Sequence, residues 1–208
     1  MEQLSYEVLA LQNEHHIGDT KIFSYYIEYL HFNIDTPGFQ ALNERNLEEA
    51  KQRQVYALNV LYGNAVQAYY TGSQGLPYEY SVTMRVTEDG NSIMSGFSDE
   101  YIYSGGAHGN TVRRPYTYDT TTGVQKRLCD FMTNPNCNEC IINNIINQIS
   151  TSGQTSIYFP NYADLVRQTF NANNYYVTPQ GVIVFFGQYD IAPYSSGIRT
   201  FIIPYNAC

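Results

Sequence analysis

Residues 78–103 read YEYSVTMRVTEDGNSIMSGFSDEYIY. Tyr78 to Thr87 alternates between apolar and polar residues, as a half-buried strand does. Glu88-Asp89-Gly90-Asn91 is a hairpin turn signal, and Ser92 to Tyr103 reads as the partner strand. Ser104-Gly105-Gly106-Ala107-His108-Gly109 follows directly. Two adjacent glycines at the end of an aromatic strand mark a turn that side chains would obstruct, and the loop presents His108 just beyond them. Arg114 to Asp119 reads as another strand, after which Thr120-Thr121-Thr122-Gly123 turns the chain. Strands joined by turns this tight predict a largely antiparallel sheet.

Upstream, Ser5 to Leu11 and Lys21 to Phe32 read as strands. Thr36-Pro37 supplies a cap followed by proline in the first helical turn. From Leu42 to Tyr70 the pattern is helical: Leu47, Ala50, Leu58, Leu61, Ala65 and Ala68 share one face, with Gln54 as the polar interruption, and Glu49 and Arg53 form an i,i+4 pair on the flank. Thr71-Gly72 ends a helix of about 40 Å. Downstream, Ile141, Ile142, Ile145, Ile146 and Ile149 give one short helix its apolar face. Tyr162, Leu165, Val166 and Phe170 do so for a second, with Asn161 as its N-cap. Asn174 to Thr178, a Pro179-Gln180-Gly181 turn and Val182 to Phe186 form a second hairpin, and Ile198 to Tyr205 is the last strand. The predicted class is α+β: a mostly antiparallel sheet packed by one long N-terminal helix and two shorter C-terminal helices. The expected division is a strand-strand-long helix subdomain over 1–75 and a C-terminal subdomain over 76–208, sharing one core.

The composition narrows the partners. Net charge is −8, the opposite of the basic stripe that nucleic acid binding requires. An acidic surface attracts a basic protein or a cation, and it also keeps a protein soluble. The 21 tyrosines stand beside 10 phenylalanines and no tryptophan; tyrosine fills half-buried sheet faces and contact surfaces equally well. No apolar run reaches the length of a membrane span, and Met1 precedes a strand-like pattern instead of a signal peptide. An export or anchor segment is therefore expected outside these residues.

Cys129, Cys137, Cys140 and Cys208 allow three disulfide connectivities. Cys137-Asn138-Glu139-Cys140 is a CxxC, but zinc would need a second pair and thiol redox chemistry a βαβ setting. Disulfides in an exported protein are the expectation. Short spacing favours Cys137 with Cys140, leaving Cys129 with Cys208.

Three motifs carry a family resemblance. The first is Tyr101-Ile102-Tyr103-Ser104-Gly105-Gly106-Ala107-His108-Gly109. The second is Tyr118-Asp119 with Thr122-Gly123 and Leu128-Cys129-Asp130-Phe131. The third is Tyr189-Asp190-Ile191-Ala192-Pro193-Tyr194-Ser195-Ser196-Gly197, ending in Ile203-Pro204-Tyr205. Together they resemble the extracytoplasmic domain shared by the lysozyme-binding anti-sigma factor RsiV and the N-terminal region of the peptidoglycan deacetylase PdaC. The resemblance covers residues 76–205, with 5–70 similar in outline. The chain departs from the family in its cysteines. It also carries no sigma-binding segment, membrane span or deacetylase domain within these residues. In members that bind lysozyme the domain is a receptor, not a catalyst.

A catalytic reading of His108 would require Ser104, Ser195 or Ser196 with Asp119 or Asp190, none at a recognisable spacing. A metal reading would require more ligands, yet His15-His16 lies in a turn-like segment and His31 in a strand pattern. The sequence instead predicts a partner-binding surface at Gly106, Ala107, His108, Gly109, Asn110, Pro193 and Tyr194, with Gly105, Gly123 and Gly197 structural. No cofactor or metal is expected. The expected function is a non-catalytic extracytoplasmic binding or sensing module for a lysozyme-type basic protein. The alternative is a cell-wall glycan-binding accessory, its exposed tyrosines stacking on sugar rings.

Overall fold

The computed structural model describes residues 5–90 and 92–208. Asn91 of the central turn lies outside the described residues, as does Met1. Strands β1 (Tyr6–Ile17) and β2 (Thr20–Phe32) form an antiparallel hairpin closed at Gly18, whose φ is 58°. Strand β1 thus runs past Leu11 and through His15 and His16, with a bulge between them, where the sequence predicts a turn. The reason is its position. Among the described residues it pairs on one side only, and an edge strand needs few apolar residues; its side chains alternate between faces, Ala10, Gln12 and Glu14 exposed and Leu11 and His15 half-buried.

The chain next forms a helix in three parts: α1 (Pro37–Tyr56), a π turn (Ala57–Leu61) and α2 (Tyr62–Tyr70). Thr36 caps it, accepting from Phe39 N at 3.5 Å, and Pro37 lies in the first turn. Its buried positions are Ala50, Ala57, Leu61, Ala65 and Ala68, mostly small, so the backbone lies close to the sheet. Gln54, the polar interruption, donates from Nε2 to Tyr25 Oη at 2.7 Å. Asn43 both accepts from Phe32 N at 2.8 Å and donates to Phe32 O at 2.9 Å, and Asn46 donates to Leu30 O at 2.9 Å. These amides tie the helix to the backbone of β2.

Strand β3 (Tyr78–Glu88) pairs with β2 in parallel, from Phe23 opposite Tyr78 to Ile27 opposite Val82. A parallel neighbour needs a crossover, and the helix is that crossover. Strands β4 (Ile93–Tyr103) and β5 (Asn110–Asp119) complete the order β1-β2-β3-β4-β5. Their connections, 89–92 and 104–109, are far too short for parallel pairing, so these neighbours are antiparallel.

The described residues divide into two compact units, one holding 5–85 with Ser98–Val112, the other Val86–Phe97 with Arg113–Cys208. Each has its own cluster of buried side chains. In the first, Ile22, Phe23, Tyr25, Ile27, Tyr80 and Val82 from the sheet pack with the buried helix positions. In the second, α3 (Cys137–Thr151) and α4 (Tyr162–Thr169) accompany an antiparallel sheet of β6 (Tyr175–Thr178), β7 (Gly181–Phe186) and β8 (Arg199–Ile203). Ile141, Ile145 and Ile149 of α3 and Val166 of α4 are buried with Val182, Val184, Phe186 and Ile203. Asn161 occupies the N-cap of α4, but through its backbone: its carbonyl accepts from Asp164 N and Leu165 N, both at 3.1 Å.

All four cysteines are in disulfides, with a pairing that corrects the expectation: Cys129–Cys137 and Cys140–Cys208, each with Cα atoms 5.8 Å apart. Cys137 and Cys140 both sit in the first turn of α3. Once two cysteines share a helix, the helix and not their sequence spacing directs their side chains. Cys137 meets Cys129 in the 3₁₀ turn Leu128–Phe131. Cys140 meets Cys208, whose carbonyl accepts from Asn134 N.

Cleavage after Glu139 falls between Cys137 and Cys140, and no glutamate follows it. A Glu-specific protease is expected to release the fragments on either side of this bond without reduction, read by mass spectrometry. Fragments that separate only after reduction would mean a different pairing. Loss of Cys140–Cys208, which closes a 68-residue interval, is expected to cost roughly 4 kcal/mol, against roughly 2–3 for the 8-residue Cys129–Cys137 interval.

Tyr175 donates to Lys126 O at 2.6 Å, and burial pushes its phenol up to about 12. With the folded value above the unfolded value of about 10, its contribution is complete below pH 10 and lost as pH rises toward 12. Tyr175→Phe is expected to make alkaline unfolding less steep in a denaturant titration.

Candidate functional site

The loop between β4 and β5 is built around three tyrosines. Gly105 and Gly106 have φ of 91° and 92°, a region L side chains rarely enter. A Cβ on Gly105 would lie 3.3 Å from the Tyr78 ring, and one on Gly109 would run into the ring of Tyr101. Tyr103 donates to Gly106 O at 3.1 Å and meets Tyr78 edge to face, with centroids 6.5 Å apart. Gly106, Ala107, His108 and Asn110 are exposed on this fixed backbone, whereas Gly109 is buried. Gly109 therefore admits the Tyr101 ring and offers no exposed surface of its own.

His108 Nδ1 lies 2.9 Å from Gly109 O and donates to it when protonated there. The carboxylates of Asp119 and Asp190 are engaged in their own turns. Asp119 Oδ1 accepts from Thr121 N and Thr122 N at 2.9 and 3.0 Å, and Oδ2 pairs with Lys126 at 3.1 Å. The Thr122 amide first, then Lys126, holds its carboxyl below the usual range. The same turn closes with Gly123, φ 69°, donating to Asp119 O. Asp190 Oδ2 accepts from Gly187 N at 2.6 Å, and Ser196 Oγ donates to Ile157 O at 3.2 Å. Asp130 is likewise structural: its Oδ2 accepts from Arg127 N, and this bond chiefly lowers its carboxyl pKa.

Among the described residues, no group of three or more His, Cys, Asp or Glu side chains is placed to hold a metal ion. His15 packs among rings, 4.6 Å from Tyr62 and 5.9 Å from Phe23.

The segment 187–197 is a second loop, held by its own hydrogen bonds. Asp190 N donates to Gly187 O at 3.3 Å, closing a turn with Gln188 and Tyr189 at its centre. Tyr189 has φ +68° where such turns place glycine or asparagine, at a cost of roughly 1–2 kcal/mol. The residue is 56% exposed, and its ring lies 5.8 Å from that of Tyr194, tilted by 37°. Ile191 and Ala192 anchor the loop in the core, and Ile191 O accepts from Phe159 N. Pro193, exposed, leads into the 3₁₀ turn Tyr194–Ser196, which ends at Gly197 with φ 65°. Arg199 braces this turn, donating to Ser196 O at 3.3 Å and Tyr158 Oη at 3.1 Å.

The expected contact residues thus lie on two loops, one in each compact unit. Tyr189 stands in the third sequence motif but not among those residues. The signal that marks it is an aromatic residue at the third position of the turn Gly187-Gln188-Tyr189-Asp190.

Residues 18–111 match the family described as deacetylase PdaC, and residues 131–206 match the protein family of unknown function DUF3298. The chain joins a PdaC-type segment to a DUF3298-type segment. No protein of curated function matches it in sequence. A DUF3298 family protein from Pseudomonas aeruginosa PAO1 is similar in structure, with a TM-score of 0.66 at 22% identity, covering 98% of this chain and 92% of that one. Another, from Bacteroides fragilis NCTC 9343, has a TM-score of 0.68 at 19% identity, covering 97% and 90%. Likeness at these identities establishes a shared α+β fold along almost the whole chain.

Substitutions in the glycine loop separate steric from conformational cost. Gly109→Ala is expected to lose roughly 1–3 kcal/mol by forcing the Tyr101 ring aside. Gly106→Ala meets no atom within 4 Å and is expected to lose only roughly 1 kcal/mol, from its backbone angle. Chemical denaturation checks the order. Equal losses would mean that the Tyr101 contact does not hold the loop.

Proposed function

We propose that this chain is a non-catalytic extracytoplasmic binding module that recognises a basic protein of the lysozyme type. The observation that carries this reading is the glycine loop. Exposed Gly106, Ala107, His108 and Asn110 sit on a backbone fixed by Tyr78, Tyr101 and Tyr103, and a surface ordered before binding loses less entropy on association. Pro193 and Tyr194, on a loop anchored by Ile191 and Ala192, are the second contact element. The net charge of −8 complements a basic partner, and the family resemblance supplies the partner class. Two disulfides fit an oxidising compartment. No described helix is long and apolar enough to cross a membrane.

A second reading, a cell-wall glycan-binding accessory, is favoured by the exposed rings of Tyr26, Tyr70 and Tyr189 and by the match to a family described as a deacetylase. Aromatic faces of this kind can stack on sugar rings.

Titration calorimetry against lysozyme tests the first reading. Tyr194→Ala is expected to weaken binding by roughly 2 kcal/mol, the size of a contact hot spot, and His108→Ala to weaken it less. Association is expected to slow as salt rises. No heat with lysozyme would remove this partner, and heat with a chito-oligosaccharide in its place would favour the glycan reading. Binding that survives both substitutions would keep the receptor and discard these contact residues.

A further inference from the structure

We infer that Tyr189 and Tyr194 form a receiving site for a cationic side chain, an arginine above all, of a basic partner. The identity of that partner rests on the proposed function; the site itself rests on three observations. The first is the backbone at Tyr189, which adopts φ +68° in a turn whose geometry calls for glycine. Burial does not offset that strain, because the residue is 56% exposed. A strained backbone that carries an exposed aromatic ring points to a use for the ring.

The second observation is the pairing of the rings. Their centroids are 5.8 Å apart and their planes tilt by 37°, so two aromatic rings stand side by side within reach of one cationic group. Electron-rich ring faces attract guanidinium groups, which also stack on them. The third is charge. Asp190 follows Tyr189 and its carboxylate is fixed in the same turn by Gly187 N at 2.6 Å, on a chain of net charge −8. The molecule already makes the same contact internally, with the Arg113 guanidinium 3.7 Å from the Phe97 centroid and that of Arg199 5.2 Å from Tyr158.

Tyr189→Gly and Tyr189→Asn both remove the ring and both suit the left-handed backbone. The expected result is a melting temperature equal to or above that of the wild type, with lysozyme affinity reduced about 10-fold. A melting temperature lowered in both variants would make the ring a packing element and overturn the inference, as would unchanged affinity in both. An oligoarginine peptide provides an independent probe. It is expected to shift the NMR signals of both rings, while a neutral chito-oligosaccharide leaves them in place. Shifts with the peptide but no lysozyme binding would sustain the cation site and remove only the lysozyme partner. No shift with the peptide, or a shift with the sugar instead, would overturn the site.

Discussion

The parallel pairing of β2 with β3 is the constraint on which the N-terminal unit depends. A tight turn cannot deliver a parallel neighbour, so the chain must leave β2, travel back along the sheet and re-enter beside it. The segment between Phe32 and Tyr78 therefore has to be a crossover, and the helix through residues 37–70 fills that role. Its polar bonds and its apolar contacts do different jobs. Hydrogen bonds such as Gln54 to Tyr25 contribute roughly 1 kcal/mol each, whereas burying each of Phe23, Ile27, Leu61 and Val82 contributes roughly 1.5–3 kcal/mol. Burial holds the helix on the sheet. Asn43, Asn46 and Gln54 fix its position along the strands.

In the C-terminal unit, β6 lies at the end of its sheet's strand order, so among the described residues one side of its backbone has no strand partner. Side chains take that role at Val177. Its N–H donates to Ser95 Oγ at 2.9 Å, and its carbonyl accepts from Thr87 Oγ1 at 2.6 Å. Ser95 is itself fully buried and bonded to Thr117 at 2.7 Å, so these buried polar atoms are satisfied. Two hydroxyls thus act as a fragment of strand edge.

Features governed by local rules were legible in the sequence. The Thr36-Pro37 cap, the alternation from Tyr78 to Thr87, the isoleucine face of α3 and the turn at Gly123 each depend on residues close in the chain. Those that depend on register or on distant partners were not. The extension of β1 beyond Leu11 is carried by polar residues that mimic a loop. The disulfide pairing depends on where the segments at Cys129 and Cys208 meet α3. In the glycine loop the positive φ angles could be read from Gly105 and Gly106. The fit of Gly109 against Tyr101, by contrast, depends on how the strand folds back. Tyr189 was hidden for the opposite reason: its residue type argues against the conformation it adopts.

Strand β1 has a consequence for how the protein behaves in concentrated solution. Among the described strands it pairs only with β2, at the end of the sheet order, the place where an extended chain could add. The features that limit such addition lie within the strand: exposed Glu7 and Glu14, and the bulge at His15/His16 that breaks its regularity near one end. Resistance to strand addition at this edge therefore depends on these local features as well as on the charge of the molecule as a whole.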